Sequence, residues 1–285
     1  MKGYVNTDPA TKHQKCLPIG FFKKLIQNKA STLTTAIGQL AVGALFFGMR
    51  SCEYSKVHGD RKTKLLTVKD IRFFRGRKEI KKDISTFYNR ATSVSICFRM
   101  QKNDEKEAVV TMHRSSKGLC PVKTWGEIVD RVLSYPRANQ NSPVNLVEIE
   151  TTKKPKYVQI RSSDILKHIR NTVTQIGEDK LGFTAKEVGT HSIRSSFAMF
   201  LHLNGIRSDK IMLQGRWRST AFLTYIRVQV TEFSLGLSDK MNKTRDFYTV
   251  PEDRYDHTGQ HYYQVDHNVN RQNTFPTHNP GIMAF

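Results

Sequence analysis

Cysteine is scarce and scattered. Cys16, Cys52, Cys97 and Cys120 are the only four in 285 residues, with neither paired spacing nor a ligand histidine nearby. That pattern excludes a disulfide framework and a zinc knuckle, and fits a reducing compartment. Long apolar runs are also missing. The most apolar stretch, Ala36 to Met49, is interrupted by Gly38, Gln39, Gly43 and Gly48 and is too short to span a bilayer. Met1 to Ala10 lacks the apolar segment of a secretory signal, so the expectation is an intracellular protein with no membrane partner. Neither a P-loop nor an acidic metal cluster occurs, so no nucleotide, metal or small-molecule cofactor is expected. The tail histidines His257, His261, His267 and His278 have no cysteine beside them and no framework to fix ligand geometry.

Negative charge is in deficit. The chain carries 46 Lys+Arg against 25 Asp+Glu, a net +21. The imbalance is confined to residues 1–245, which carry +24, whereas 246–285 carry −3. A polyphosphate partner accounts for such an excess, because each phosphate neutralised by a side chain releases counterions. The bland alternative is a ribosomal-type or merely basic soluble protein. Double-stranded DNA is the expected partner.

Local patterning describes an α+β chain, mostly helical, with a small three-stranded antiparallel sheet. Thr34 to Phe47 reads as a buried helix ended by Gly48, which puts Arg50 just beyond its terminus. Leu66, Val68, Ile71 and Phe73 alternate as one strand, with Gly76-Arg77 as turn. Val94, Ile96 and Phe98 mark a second, half-buried strand, and Val109 to Met112 the third. Pro121 opens a helix with an apolar stripe of Trp125, Ile128, Val129, Val132 and Leu133, stopped by Pro136. Thr151 to Lys156 suits an exposed hairpin. Ser163 is expected to cap a helix through Ile176. Further helices are expected from His191 to Asn204, from Ser208 to Gly215, from Thr220 across Tyr225, and from Phe233 to Met241. Residues 246–285, rich in Tyr, His, Asn and Asp without apolar periodicity, read as a disordered tail.

One stretch carries chemistry. Between Gly189 and Arg227 come His191-Ser192-Ile193-Arg194, then Gly215-Arg216-Trp217, then Tyr225-Ile226-Arg227. Splitting a phosphodiester without metal needs a nucleophile, cations around phosphorus and a proton donor for the leaving oxygen. A phenol, with a pKa near ~10, needs positive surroundings to attack at neutral pH. Arginine binds two non-bridging oxygens with its fork and keeps its charge. Histidine accepts the phenolic proton or donates to the phosphate. Each element alone has a plainer meaning. His-x-x-Arg recurs by chance, Tyr225 shares an apolar face with Phe222 and Ile226 as a core tyrosine would, and Trp217 suits a core plug.

Taken in order, these blocks resemble the tyrosine recombinases of the phage-integrase family, over about Leu17 to Met241. Gly48-Met49-Arg50-Ser51-Cys52-Glu53 is similar to the family's first arginine box, with Glu53 at the acidic position that orients Arg50 or its neighbours. The strands around Gln101-Lys102-Asn103 match the family's lysine-bearing hairpin. Thr190 to Arg194 resembles its His-x-x-Arg box, and Tyr225 lies ten residues after Gly215, as the family expects. Gly215-Arg216-Trp217 and Cys120-Pro121-Val122 look most like integrases of eukaryotic mobile elements of the Crypton or DIRS type.

The resemblance implies roles. Arg50 and Arg194 clamp the scissile phosphate, His191 is base or phosphate donor, Lys102 is the acid for the 5′ oxygen, and Tyr225 forms a 3′-phosphotyrosyl link. That link conserves the phosphodiester bond energy. It further implies DNA integration or recombination, self-association on DNA, and a nuclear location if the source is eukaryotic. Two features depart from the family. Where many members have histidine nine residues before the tyrosine, this chain has Arg216; Trp217 is the expected donor, and the role of Arg216 stays open. Arg50 also falls so early that residues 1–245 are expected to form the catalytic domain alone, without an N-terminal core-binding domain. Two other readings stand beside strand exchange: a non-catalytic DNA-binding remnant, and a type IB topoisomerase-like nicking and closing enzyme.

Overall fold

The computed structural model describes residues 14–59, 63–99, 107–151, 154–226 and 238. All but Ser238 belong to one unit, Met1–Leu235. Helix α1 (Ile19–Gln27) leads into α2 (Thr32–Phe46), the apolar stretch noted above, which forms the centre of the core. Ser31 starts α2 with a reciprocal cap, its hydroxyl accepting from the Thr34 N–H at 3.1 Å while Thr34 Oγ1 accepts from the Ser31 N–H at 2.8 Å. A helix apolar all round must be covered all round. From Ala36 to Leu45 every residue of α2 is buried, against α1, the later helices and a hairpin.

The interrupting glycines are sites of close approach. A methyl group at Gly38 would stand 2.9 Å from the Leu25 carbonyl oxygen of α1, and one at Gly43 3.0 Å from the Trp125 ring. The Trp125 indole N–H donates to the Gly43 carbonyl at 3.2 Å. Gln39, the one polar residue in this run, is satisfied from both sides. It donates to Glu127 Oε2 at 3.3 Å and accepts from Arg131 Nε at 3.2 Å.

After the short α3 (Ser51–Tyr54), four strands form one antiparallel sheet: β1 (Ile71–Arg75), β2 (Lys78–Ile80), β3 (Ser93–Phe98) and β4 (Ala108–His113), in the order β2-β1-β3-β4. The three expected strands are present, and β2 is an additional edge strand. Its three residues, Lys-Glu-Ile, are too few and too polar to show alternation. They pair Phe73 with Ile80 and Arg75 with Lys78 across the Gly76 turn. Leu66 and Val68 are not strand residues. Val68–Asp70 is a 3₁₀ turn, because the Asp70 carboxylate accepts the Thr67 N–H at 2.8 Å and curls the chain. Strand β3 is more than half-buried: Ser93 and Ser95 are covered as well, since neighbours flank it on both sides.

Helix α4 (Pro121–Leu133) packs its Trp125 stripe on α2. Strands β5 (Leu146–Ile149) and β6 (Lys156–Gln159) form the expected hairpin. Helix α5 (Ser162–Ile176) begins two residues earlier than expected: Asp164 accepts the Arg161 N–H at 2.9 Å, so Ser163 lies inside the first turn rather than capping it. After the short α6 (Glu178–Leu181) come α7 (His191–Leu203), α8 (Ser208–Gly215) and a 3₁₀ helix, Thr220–Tyr225. The expected helix at Phe233–Met241 apart from Ser238, the tail 246–285 with its histidines, and Lys102 lie outside the described residues. Among the described residues no helix is long and apolar enough to cross a membrane.

Candidate active site

The end of α2 and the start of α3 make one wall of the candidate site. Gly48 takes φ +51°, which turns the chain out of α2, and a side chain there would stand 2.7 Å from the Phe197 ring of α7. Two residues on, Arg50 precedes the first residue of α3. Its backbone N–H donates to Glu53 Oε2 at 2.8 Å and its guanidinium to Glu53 Oε1 at 3.3 Å. Glu53 is buried at 1% side-chain exposure, whereas Arg50 keeps 22%.

Helix α7 supplies the opposite wall. Arg194 is almost fully buried; its guanidinium donates to the carbonyl of Gly48 and, at 2.7 Å, to that of Gly215, and stacks 4.2 Å from the centre of the Trp217 ring. One side chain thus ties the end of α2 to the end of α8. His191 begins α7 one turn earlier and is exposed, so the two residues of the His-x-x-Arg box differ in burial. The His191 backbone N–H donates to Gln14 Oε1 at 3.1 Å.

The Gly-Arg-Trp block closes α8 in an unusual way. The Arg216 N–H bonds the Leu213 carbonyl at 3.2 Å and the Trp217 N–H the Met212 carbonyl at 2.9 Å, the paired bonds of a helix terminus that normally places glycine in the left-handed position. Here that residue is Arg216, at φ 56° and ψ 46°. The glycine stands one position earlier because Trp217 folds back over the helix end, and a Cβ on Gly215 would fall within its ring. Trp217 then stacks on Phe197 with centroids 6.0 Å apart and leans on Phe222 of the 3₁₀ helix at 5.8 Å. Its ring therefore joins α7, α8 and the segment bearing Tyr225.

Arg216 turns inward. Its guanidinium donates to the second Glu53 oxygen at 2.7 Å and to the Phe47 carbonyl at 3.2 Å, and lies 3.4 Å from the centre of the Phe98 ring at the end of β3. Its side chain is 2% exposed. Burial pulls its pKa below the ordinary arginine value, with the Glu53 carboxylate pulling the other way. Glu53 thus sits between two arginines.

The structure therefore brings Arg50, Glu53, Arg194, Arg216 and Trp217 together from three separated blocks. Tyr225 ends the 3₁₀ helix that packs against α7. Beside Glu53, Tyr54 is fully buried, and burial together with the Glu53 charge drives its pKa well above the usual phenol value. The Cys52 thiol is pushed up for the same two reasons. Sequence reasoning gave no role to Phe98, or to the carbonyls of Phe47, Gly48 and Gly215. Backbone acceptors leave no mark in a sequence. The readable signal was an arginine where a helix-ending glycine is normal.

No protein-family profile matches the chain, and no curated protein matches it. Among solved structures it is similar to the crystal structure of XerA recombinase, at 18% identity over 84% of this chain and 66% of that one, with a TM-score of 0.46. It is similar also to a Tn1549 transposon integrase in complex with circular intermediate DNA, at 13% identity over 85% of this chain and 67% of that one, TM-score 0.45. A third is XerH site-specific recombinase bound to a palindromic difH substrate in a post-cleavage complex, at 14% identity over 81% of this chain and 52% of that one, TM-score 0.48. The chain spans between about half and two thirds of the length of those chains.

Proposed function

We propose that this protein cleaves and rejoins double-stranded DNA as a tyrosine-type site-specific recombinase or integrase, of the kind encoded by Crypton or DIRS mobile elements. The observation that carries the reading is the corner where Arg50, Glu53, Arg194, Arg216 and Trp217 meet, in a chain with +24 over residues 1–245. In this reading the Tyr225 hydroxyl attacks phosphorus and forms a 3′-phosphotyrosyl link, and the 5′ oxygen leaves with a proton from Lys102. Arg50 and Arg194 balance the charge that builds on the non-bridging oxygens, and His191 takes the phenolic proton or donates to the phosphate. Trp217 offers its indole N–H. The reverse attack by a 5′ hydroxyl reseals the strand, so the cycle needs no external energy. Copies of the protein assemble on the DNA to exchange strands.

The test uses a pool of duplex oligonucleotides of randomised sequence, nicked on one strand so that the leaving fragment diffuses away. The expected result is a protein–DNA adduct that survives denaturation and is missing with Tyr225→Phe, which removes only the hydroxyl. An adduct that persists in Tyr225→Phe moves the nucleophile elsewhere. If the wild-type protein yields no adduct, cleavage is overturned and the DNA-binding remnant is the better account. Binding itself is read from salt: with ~6 phosphates contacted, affinity falls by about 10³ between 50 and 200 mM.

A further inference from the structure

The Glu53 carboxylate poses an electrostatic problem for the site it helps to build. It holds Arg50 by both the backbone N–H and the guanidinium, at 2.8 and 3.3 Å. By themselves Arg50 and Glu53 sum to zero, so the carboxylate that orients the arginine also cancels its field. Cancellation is severe here, because Glu53 is buried and poorly screened by water. A phosphate approaching a neutral pair gains little.

Arg216 alters that sum. It lies on the far side of the same carboxylate, bonded to Glu53 Oε2 at 2.7 Å and nearly sealed from solvent, whereas Arg50 retains 22% exposure. The three side chains then total +1, and that charge sits toward the exposed member. The backbone argues the same way. Left-handed geometry at a non-glycine residue costs roughly 1–2 kcal/mol, and glycine in place of Arg216 would relieve it. Arginine stands here because its side chain, through the Glu53 ion pair, can offset that strain. The Phe98 ring and the Phe47 carbonyl fix the guanidinium on two more sides, so it is rigidly aimed.

We propose that Arg216 is a positioning residue that neutralises the buried Glu53 carboxylate, leaving Glu53 free to orient Arg50 without cancelling Arg50's charge toward a DNA phosphate. This rests on the reading of the corner as a phosphodiester site. It also separates the two residues competing for the family's histidine position: Arg216 faces the carboxylate, and Trp217 faces Arg194.

The test is a charge cycle. Arg216→Met keeps a side chain that packs on Phe98 but brings the trio to zero. Glu53→Gln/Arg216→Met restores +1 with no buried ion. Arg216→Lys keeps the charge and loses the fork. Two readouts are taken on properly folded protein: the slope of log affinity against log salt for a fixed duplex, and adduct formation on the nicked pool. Arg216→Met is expected to lower the slope by about 1 and adduct formation by about 10². The double variant is expected to recover the wild-type slope and come within about tenfold of the wild-type rate, with Arg216→Lys between the two. A purely structural role predicts the opposite order, with the double variant at least as impaired as the single one, and that result overturns the proposal. An unchanged Arg216→Met does so as well. If Arg216→Met does not fold, the double variant decides alone: a wild-type slope supports the proposal, and a loss equal to that of Arg50→Ala refutes it. If the wild type forms no adduct while the slopes follow the charge count, the cleavage reading fails and the charge role stands.

Discussion

Arg50 and Arg194 reach the same corner by different physical means. Arg194 is buried and held by two backbone carbonyls and the face of Trp217. Those partners are neutral dipoles and a quadrupole, so they fix its direction and leave its charge whole. Arg50 is more exposed and held by a carboxylate, which fixes direction while subtracting charge. The first set of partners subtracts no charge. The second works only with a compensating cation, and Arg216 stands where that cation is required. How a cation is anchored therefore decides how many further charges must be buried behind it.

The sharpest way to break this contrast is Glu53→Gln. The Gly48, Gly215 and Trp217 partners of Arg194 are left in place by that change, whereas on the Arg50 side Arg216 is left buried without its counterion. Breaking a buried pair costs about 3–5 kcal/mol, read as a large drop in denaturation midpoint. The Glu53→Gln/Arg216→Met double variant should regain most of it. Next in size is Arg194→Ala. Removing one donor of charge in the transition state lowers adduct formation by about 10² or more. Arg194→Lys should not restore it, because an ammonium cannot serve two carbonyls and a ring face together.

Gly215→Ala sharpens the comparison from the Trp217 side. The added methyl displaces the ring that supports Arg194 but touches no partner of Arg50. Overpacking of this kind costs about 1–3 kcal/mol. Because Trp125 is fully buried, any red shift in tryptophan emission reports Trp217.

A smaller effect belongs to Lys82, away from both halves. Its ammonium donates to the Val68 and Ile71 carbonyls at 2.8 and 2.7 Å, and burial pulls its pKa down to about 8 from 10.5. The unfolded chain therefore holds more protons between these two values. Stability contributed through Lys82 should rise as pH climbs from about 8 to 10.5, and the burial penalty is at its full size below pH 8. The difference between wild type and Lys82→Met across that window isolates it from the buried thiols and phenols. Smallest of all is Tyr54→Phe. The Tyr54 hydroxyl is buried without a hydrogen-bond partner among the described residues, so its loss should leave adduct formation unchanged and stability equal or slightly higher.

Helix periodicity was legible wherever one face meets the core. The α4 stripe, α7 with Gly205 just beyond it, the short α8, and the largely apolar α2 all lie where the pattern implied. Polar edges were harder to read. Strand β2 lies at a sheet edge, where three residues of mixed polarity satisfy the ladder without alternation. The start of α5 was misread because Asp164 reaches back to the Arg161 N–H, while Ser163 looked like the cap.

The sequence by itself determined the helical class, the excess of positive charge and the order of the arginine, histidine and tyrosine blocks, because each is written in local periodicity or composition. Only the tertiary structure decided what Arg216 does. Its partners are a carboxylate 163 residues away, a carbonyl 169 residues away, and the Phe98 ring. Ion pairing in a buried corner depends on distance in space and exclusion of water. Neither quantity exists until α2, α3, β3 and α8 have packed against one another.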